Sequence, residues 1–388
     1  MESPARAGGG AARRSGGHCA RDHGAARMTR AEAIALELLA EMQGAGAQPV
    51  AAGILQPAET LLDLYGEDIR ARAYVTHDPG LGEMMLRPDF TVPVVQAHMK
   101  DGAEPARYCY SGPVFRKQDR AGGRAREYLQ VGYEVFARDD PARADAEVFA
   151  LFARLLGGYD LRPMTGDIGI LKAAVAGLQT SDRRKAALMR HIWRPKRFRA
   201  LLERMGGHGP LAEARAELVA QLRSGPADAL MREAGQMVGR RSEAEIASRV
   251  ATLLEDAQTP PIPREQVTAL ESLLSLAAPA REGLAAMRAQ GWAALAPALD
   301  RLEARLDALD AAGIDSATLP FEASFGRTTM EYYDGFVFGF ISGREDLPPV
   351  ATGGRYDALT AVLGQGRAIP AVGGVIRPAT LAVLEGAR

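Results

Sequence analysis

Cysteine is scarce in this sequence, which has two in 388 residues, Cys19 and Cys109. Because they lie far apart in the chain, they predict neither a disulfide framework nor a paired-cysteine metal site. His18 and His23 lie near Cys19, but three residues are too few ligands for a structural metal site. The scarcity excludes a disulfide-stapled scaffold, favours a reducing cytoplasm, and gives no reason to expect a metal or another cofactor.

Charge of one sign and long apolar runs are also missing. The chain has 47 Lys and Arg against 48 Asp and Glu, so the totals do not indicate a nucleic-acid partner. No apolar run reaches the roughly 18 residues of a membrane-spanning helix, and we expect no membrane association. The remaining composition, 47% hydrophobic and 24% charged, is typical of globular proteins, and the length suffices for two domains.

Residues 1–27 differ from the rest of the chain. They contain six glycines and five arginines against two acidic residues, and they have almost no large apolar side chains. Such a segment cannot bury enough surface to order itself, so we expect a disordered tail, or a start upstream of the natural one at Met28. A transit peptide would also be rich in arginine, but the glycine clusters interrupt any amphipathic helix.

Residues 107–134 contain two strand-like runs joined by a basic, glycine-containing loop. In the second run, the strand period of two places Tyr128, Gln130 and Glu134 on one face and apolar side chains on the other. Arg116 ends the first run, and a hairpin would bring it close to this polar face. A guanidinium, an amide and a carboxylate on one sheet surface suit a small zwitterion or a phosphate. The alternative is an exposed sheet face with ordinary surface polar residues.

This stretch resembles motif 2 of the class II aminoacyl-tRNA synthetases and is most similar to the histidyl-tRNA synthetase family. The similarity includes the spacing from Arg116 through Gln130 to Glu134, and it extends from about Thr29 to the C-terminus. It implies an α/β (α+β) fold with a mixed, mainly antiparallel sheet flanked by helices. It also implies a dimer formed through the catalytic-type domain, and a helical insertion.

The resemblance further implies a division into domains. Residues 28–180 and 312–388 would form the synthetase-like domain, and residues 181–311 would form the helical insertion, whose sequence is strongly helical in pattern. The family's anticodon-binding domain would be absent, because the chain ends after the last motif. Local signals predict individual elements: capping boxes at Thr29 and Ser242, a helix over Pro141–Leu156, and strands over 74–77, 83–86, 160–171 and 319–341.

In the synthetases that this chain resembles, a carboxylate and a threonine hold the α-amino group of the substrate. Asp89 and Thr91 occupy those positions here, with aspartate one methylene shorter than the family's glutamate. The resemblance implies that Asp89, Thr91 and Gln130 receive an ammonium group. The alternative for Asp89 is that it caps the following helix.

The resemblance likewise implies that Glu134 and a tyrosine of the pair Tyr332 and Tyr333 receive an imidazole. The arginine that binds the substrate carboxylate in the family is replaced by Thr328. Arg327, one residue away, would point to the opposite face of a strand and is a poor substitute. Arg116 and Arg124 are the candidates to take its place.

A second arginine of the family, on the ATP phosphates, is replaced by Thr380, and Arg377 lies three residues too early in the sequence. Adenylation needs positive charge on the phosphates as charge develops, so loss of two donors predicts a non-catalytic protein. A retained pocket without its reaction chemistry resembles the regulatory subunits of ATP phosphoribosyltransferase, a family of histidyl-tRNA synthetase paralogues. That resemblance implies a hetero-octamer with the short-form catalytic subunit, a place in the first step of histidine biosynthesis, and feedback by histidine as effector.

Two other classes remain open at this point. The first is a truncated synthetase-like enzyme that still makes an aminoacyl adenylate, against which the two threonines argue. The second is a tRNA-binding paralogue, which would need a basic surface near residues 183–197. For that basic run, a solvated helical face is the more ordinary interpretation, because exposed Lys and Arg are common on helices.

Overall fold

A computed structural model describes residues 28–65, 69–118, 125–207, 213–225, 242–327 and 332–387, together with residues 229, 232 and 233. The expected tail, residues 1–27, lies outside these described residues. Within them, no helix is both long enough and apolar enough to cross a membrane.

The strands are numbered in chain order. They are β1 (Gln48–Pro49), β2 (Leu55–Pro57), β3 (Val75–Asp78), β4 (Gly82–Leu86), β5 (Ala106–Phe115), β6 (Glu127–Phe136), β7 (Leu161–Asp167), β8 (Ala277–Pro279), β9 (Pro320–Glu322), β10 (Phe336–Ser342), β11 (Ala351–Arg355) and β12 (Ala371–Ile376).

Nine of these strands form one sheet in the order β1-β5-β6-β12-β11-β10-β7-β9-β8, and β2-β4-β3 form a small second sheet. Six of the eight pairings in the large sheet are antiparallel, and the β1–β5 and β7–β9 pairings are parallel. With the helices around it, this sheet confirms the predicted mainly antiparallel α/β (α+β) fold.

The helices of the described residues are also numbered in chain order. They are α1 (Arg30–Gly44), α2 (Ala58–Tyr65), α3 (Ile69–Arg72), α4 (Thr91–Asp101), α5 (Pro141–Leu156), α6 (Ile168–Ala176), α7 (Asp182–Arg190), α8 (Pro195–Met205), α9 (Glu213–Ser224), α10 (Glu243–Gln258), α11 (Arg264–Ser275), α12 (Ala280–Ala289), α13 (Ala296–Ala311), α14 (Asp357–Leu363) and α15 (Pro378–Gly386).

Several local predictions are confirmed. The side chains of Thr29 and Ser242 form capping boxes with Glu32 and Glu245, which satisfy backbone N–H groups that the first helical turn leaves unpaired. Helix α5 has the predicted bounds, and Asp140 caps its first turn. The strands β5 and β6 form the predicted hairpin, in which Tyr108 lies opposite Glu134.

Two strand predictions are wrong in their extent. The run over 160–171 ends as a strand at Asp167, because this carboxylate accepts hydrogen bonds from the backbone N–H groups of Gly169 and Ile170 and thereby caps α6. The run over 319–341 is not continuous: β9 ends at Glu322 and a turn follows, in which Gly326 has φ +86°. Alternation alone did not reveal these interruptions.

The two faces of the large sheet differ in the side chains that they carry. On one face, α5 packs with an aromatic cluster, in which Phe149 and Phe152 contact Phe340 and Phe338 at ring-centroid distances of 5.3 and 5.5 Å. On this face the Tyr133 hydroxyl also donates to Glu147 of α5. The opposite face carries Glu134 and is called the site face below. Helix α13, at the end of the predicted insertion 181–311, packs against α5, and β8 within that segment joins the sheet edge.

Candidate functional site

Glycines on the site face make room for larger groups that lie flat on the sheet. A Cβ atom on Gly132 would be 2.2 Å from the ring of Tyr110, and one on Gly373 would be 1.5 Å from Oε2 of Glu134. These two glycines lie on β6 and β12, which pair directly and are separated by far more than a hundred residues in the chain. Only glycine at these positions allows the carboxylate and the tyrosine ring to occupy this face.

Glu134 is the centre of the site. Its side chain is 1% exposed and accepts three hydrogen bonds. Oε1 accepts from the hydroxyl of Tyr110 at 2.8 Å and from Thr91 Oγ1 at 3.0 Å, and Oε2 accepts from the hydroxyl of Tyr356 at 2.6 Å. Because a carboxylate has about four lone-pair sites, room remains for roughly one more donor. We call Glu134, Tyr110, Thr91 and Tyr356 the Glu134 cluster.

Burial sets the electrostatics of the cluster. It raises the pKa of Glu134 to about 7, although the three hydroxyl donors act in the opposite direction, and the nearby Asp89 carboxylate raises it further. Burial, and after it the charge of Glu134, also raises the pKa values of the Tyr110 and Tyr356 phenols well above their ordinary value. The phenols therefore remain donors, while the carboxylate titrates near neutral pH.

Two tyrosines and the start of α4 lie beside the cluster. Thr91 is the first residue of α4, and the Tyr332 hydroxyl is 3.4 Å from Thr91 Oγ1. The rings of Tyr332 and Tyr333 are 4.8 Å apart, and Tyr333 is buried next to Glu134. Asp89 is buried two residues before Thr91. Phe90, and not Asp89, occupies the N-cap position of α4, so the capping alternative for Asp89 is not the arrangement found.

Gln130 and Arg116 complete the set of residues named from the sequence. Gln130 is 1% exposed on the site face, and its Oε1 accepts no hydrogen bond from the described residues. Arg116 follows β5, and its Nε donates to the Pro88 carbonyl oxygen at 2.9 Å, directly before Asp89. The alternative of an exposed sheet face with ordinary polar residues is wrong, because Gln130 and Glu134 are both buried.

The sequence interpretation gave no role in this region to three residues: Tyr110, Tyr356 and Arg377. Strand alternation could have identified Tyr110, because it places Tyr110 on the same face of β5 as Tyr108. Tyr356 directly precedes α14, at its N-cap position. Thr328 and Arg124, the positions discussed for a carboxylate partner, lie outside the part of the chain that the structure describes. Among the described residues, no group of three or more His, Cys, Asp or Glu is placed to hold a metal.

Two other basic features are held away from this site. Arg327 is buried, donates to the Ile192 carbonyl oxygen at 2.7 Å and lies over the ring of Phe198. In the basic run 183–197, Arg184 is 8% exposed and pairs with Asp256 at 2.7 Å, and Arg183 pairs with Glu255 at 2.9 Å. The interpretation of that run as a wholly solvated face is therefore wrong for Arg184.

Comparison with known proteins finds relatives that match most of the chain. The histidyl-tRNA synthetase family model matches residues 19–260 and 243–381. The chain is 35% identical over 353 residues to a protein of Agrobacterium fabrum named ATP phosphoribosyltransferase regulatory subunit, covering 87% of this chain and 92% of that one. It is 35% identical over 367 residues to a protein of the same name from Brucella ovis, covering 89% and 95%.

Solved structures share the fold. A Bacillus halodurans C structure titled ATP phosphoribosyltransferase regulatory subunit/histidyl-tRNA synthetase superposes with a TM-score of 0.65 at 21% identity, covering 92% of this chain and 79% of that one. A histidine–tRNA ligase subunit of Alicyclobacillus acidocaldarius superposes with a TM-score of 0.58 at 22% identity, covering 98% and 99%. At these identities the similarity concerns the fold alone.

Proposed function

Because this chain belongs to the ATP phosphoribosyltransferase regulatory subunits, within the histidyl-tRNA synthetase family, we propose that it is the non-catalytic subunit of that transferase. Its role would lie in the first step of histidine biosynthesis, in the cytoplasm, together with a short-form catalytic subunit. The observation that carries the proposal is the similarity to named regulatory subunits over nearly the whole chain, combined with a buried set of hydrogen-bonding side chains around Glu134.

The Glu134 cluster is suited to the imidazole of histidine. Its carboxylate already accepts three hydroxyl donors, and an imidazole N–H would fill the remaining acceptor position. Asp89, Thr91 and Gln130 would receive the ammonium group, as their burial beside the cluster supports. A buried, hydrogen-bonding site of this kind discriminates strongly against ligands that leave its polar groups unpaired.

The proposal that the chain does not catalyse adenylation rests on Thr328 and Thr380, which stand where the synthetases have arginines. Thr380 is buried in the first turn of α15. Each lost donor to a developing charge typically costs several kcal/mol of transition-state stabilisation. We therefore propose that histidine binding biases the state of the complex. The free energy available for that bias is the difference in histidine affinity between the states.

A hetero-octamer with the catalytic subunit, and a dimer of this chain within it, belong to the same proposal. A tRNA-binding role gains little support from the basic run 183–197, since Arg183 and Arg184 are engaged in ion pairs with Glu255 and Asp256. The division into a synthetase-like domain over 28–180 and 312–388 and an insertion over 181–311 is likewise proposed.

The test measures ATP phosphoribosyltransferase activity of the short catalytic subunit from the same genome, with and without this chain, across a histidine titration. We expect activation and histidine inhibition only when the chain is present. Glu134→Ala should abolish the histidine response, whereas Glu147→Ala, on the opposite face of the sheet, should retain it. No effect of the chain on activity or inhibition would refute the proposal. Pyrophosphate exchange and tRNA binding would then distinguish the other two classes.

A further inference from the structure

Arg377 lies where β12 ends, beside β6. The antiparallel register pairs Gly373 with Glu134 and Ile376 with Val131, so Arg377 follows at the level of Gln130. The backbone of Arg377 is still extended, with φ −107° and ψ 95°, and the alternation of the strand therefore continues through it. Because Arg377 is four residues from Gly373, it falls on the site face with Gln130 and Glu134.

The contacts of the Arg377 side chain agree with this register. Nη1 donates to the Pro349 carbonyl oxygen at 2.7 Å, and Nη2 is 3.4 Å from Thr352 Oγ1. Thr352 lies opposite Val375, on the same face of the sheet. The Tyr128 side chain is a third hydrogen-bond partner. Since a guanidinium has five N–H groups, these contacts orient it and leave donors for a ligand.

Arg116 approaches the same place from β5. Burial lowers the pKa of Arg377, and the cation of Arg116 is close enough to lower it further, whereas the phenols of Tyr128 and Tyr333 raise it. Two guanidinium groups close together in a half-buried region repel one another, and an anion bound by both would relieve that repulsion. Arg116 is in turn anchored on Pro88, next to the proposed ammonium partner Asp89.

We infer, resting on the proposed histidine binding, that Arg377 with Arg116 forms the subsite for the α-carboxylate of the bound amino acid. The site would then complement all three charged or polar groups of histidine: Glu134 the imidazole, Asp89 the ammonium, and Arg377 with Arg116 the carboxylate. The sequence interpretation considered Arg377 only for the ATP phosphates, for which it lies three residues too early in the chain. Arg377 does not align with the family's phosphate-binding arginine along the chain. In the sheet, however, the pairing of β12 with β6 brings it to the level of Gln130.

The test compares binding of histidine and histidinol, which has a hydroxymethyl group in place of the carboxylate, to the full chain by calorimetry. The unaltered chain should prefer histidine by about 10- to 100-fold, the usual range for hydrogen bonds to a charged group. Arg377→Met should remove most of this preference by weakening histidine binding, while histidinol affinity changes less than about threefold. Retained histidinol binding also shows that the variant is folded.

Arg377→Lys keeps a cation on a flexible stem and should retain part of the preference, which keeps the test usable if the methionine variant does not fold. Arg344→Met, at an exposed pair with Asp346, serves as the matched control and should leave both affinities unchanged. A preference that persists undiminished in Arg377→Met and Arg377→Lys overturns the subsite but leaves histidine binding standing. Failure of the unaltered chain to bind either compound overturns both. If Arg377→Met weakens ATP binding alone, the arginines hold a phosphate and the carboxylate assignment is wrong.

Discussion

Replacing Glu134 by glutamine should change how the stability of this protein depends on pH. The glutamine side chain has the same size and remains within reach of the Tyr110 and Tyr356 hydroxyls, but it cannot ionise. Burial raises the pKa of Glu134 from its ordinary value of 4.5 to about 7. The folded state therefore holds a proton that the unfolded chain releases, and stability decreases as pH rises between these two values.

The size of the effect follows from the pKa difference. Raising the pKa from 4.5 to about 7 corresponds to about 3 kcal/mol at about 1.36 kcal/mol per pH unit. Stability from this group is fully present below pH 4.5 and is lost as pH rises through about 7. About 2.5 kcal/mol of the change falls between pH values of about 5 and 8. Glu134→Gln does not lose this stability as pH rises. Its free energy of unfolding relative to the unaltered chain should therefore rise by about 2.5 kcal/mol between pH values of about 5 and 8.

The assay is urea unfolding of both chains without histidine, at one protein concentration, at pH values of about 5 and 8. All other titrating groups are common to the two chains and cancel in the difference. Glu147→Gln is the control. Burial acts to raise the pKa of Glu147, but its hydrogen bonds from Arg107 and Tyr133 outweigh burial and hold that pKa below its ordinary value. The stability that the Glu147 carboxylate contributes is therefore lost only in more acidic solution. The stability difference between Glu147→Gln and the unaltered chain should be flat across the interval.

A stability difference for Glu134→Gln that does not change between pH values of about 5 and 8 would refute the reasoning, because it would mean that the folded state does not raise the pKa of this carboxylate. If the hydroxyl donors outweigh burial and lower this pKa, the difference is also flat in this interval, as expected for Glu147→Gln. That result would also remove the reason to expect histidine binding to vary near neutral pH.

Three further predictions concern the same framework. Gly373→Ala should weaken histidine binding at least tenfold in calorimetry, because its Cβ would lie 1.5 Å from Oε2 of Glu134 and displace the carboxylate. Tyr356→Phe removes a hydrogen-bond donor to the charged carboxylate, so the pH midpoint for titration of Glu134, followed by the pH dependence of histidine binding, should rise by about one unit. Asp145→Asn should lower the free energy of unfolding by about 3–5 kcal/mol in urea, because Asp145 is the buried carboxylate between Arg305 and Arg355.

Each of these predictions has a control and a contrary outcome. Gly158→Ala, where a Cβ would meet nothing within 4 Å, should leave binding unchanged. Tyr159→Phe, whose hydroxyl donates to Glu385 far along the chain from the cluster, should leave the midpoint unchanged. Arg344→Met should alter stability by less than about 0.5 kcal/mol, as expected for an exposed pair. Equal effects of a variant and its control would show that the stated contact is not the cause.

Much of the fold could be predicted because its signals are local. The alternation in β6, the capping boxes at Thr29 and Ser242, and the helix Pro141–Leu156 depend on neighbours within a few residues. The failures have local causes that alternation does not report. Asp167 ends a strand by capping a helix, and Gly326 turns the chain after β9.

The amino-acid sequence alone is enough for the family resemblance and for the choice of Asp89, Thr91, Gln130 and Glu134 as candidates for one site. It also predicts that Gln130 and Glu134 share a face of β6, because the strand period is a property of the backbone. The resemblance supplied the proposed roles of these residues, but it carried no information on which further side chains meet Glu134.

Three facts emerge only in the folded chain: this polar face is buried, Tyr110 and Tyr356 donate to Glu134, and Arg377 follows the pair Ile376–Val131 toward the level of Gln130. These facts depend on the order of strands in the sheet, which brings β12 against β6 across more than two hundred residues of chain. The raised pKa of Glu134 has the same origin, because it results from removal of water by groups that are distant in sequence. Strand periodicity acts over a few residues, whereas burial is a property of the assembled sheet and its covering helices.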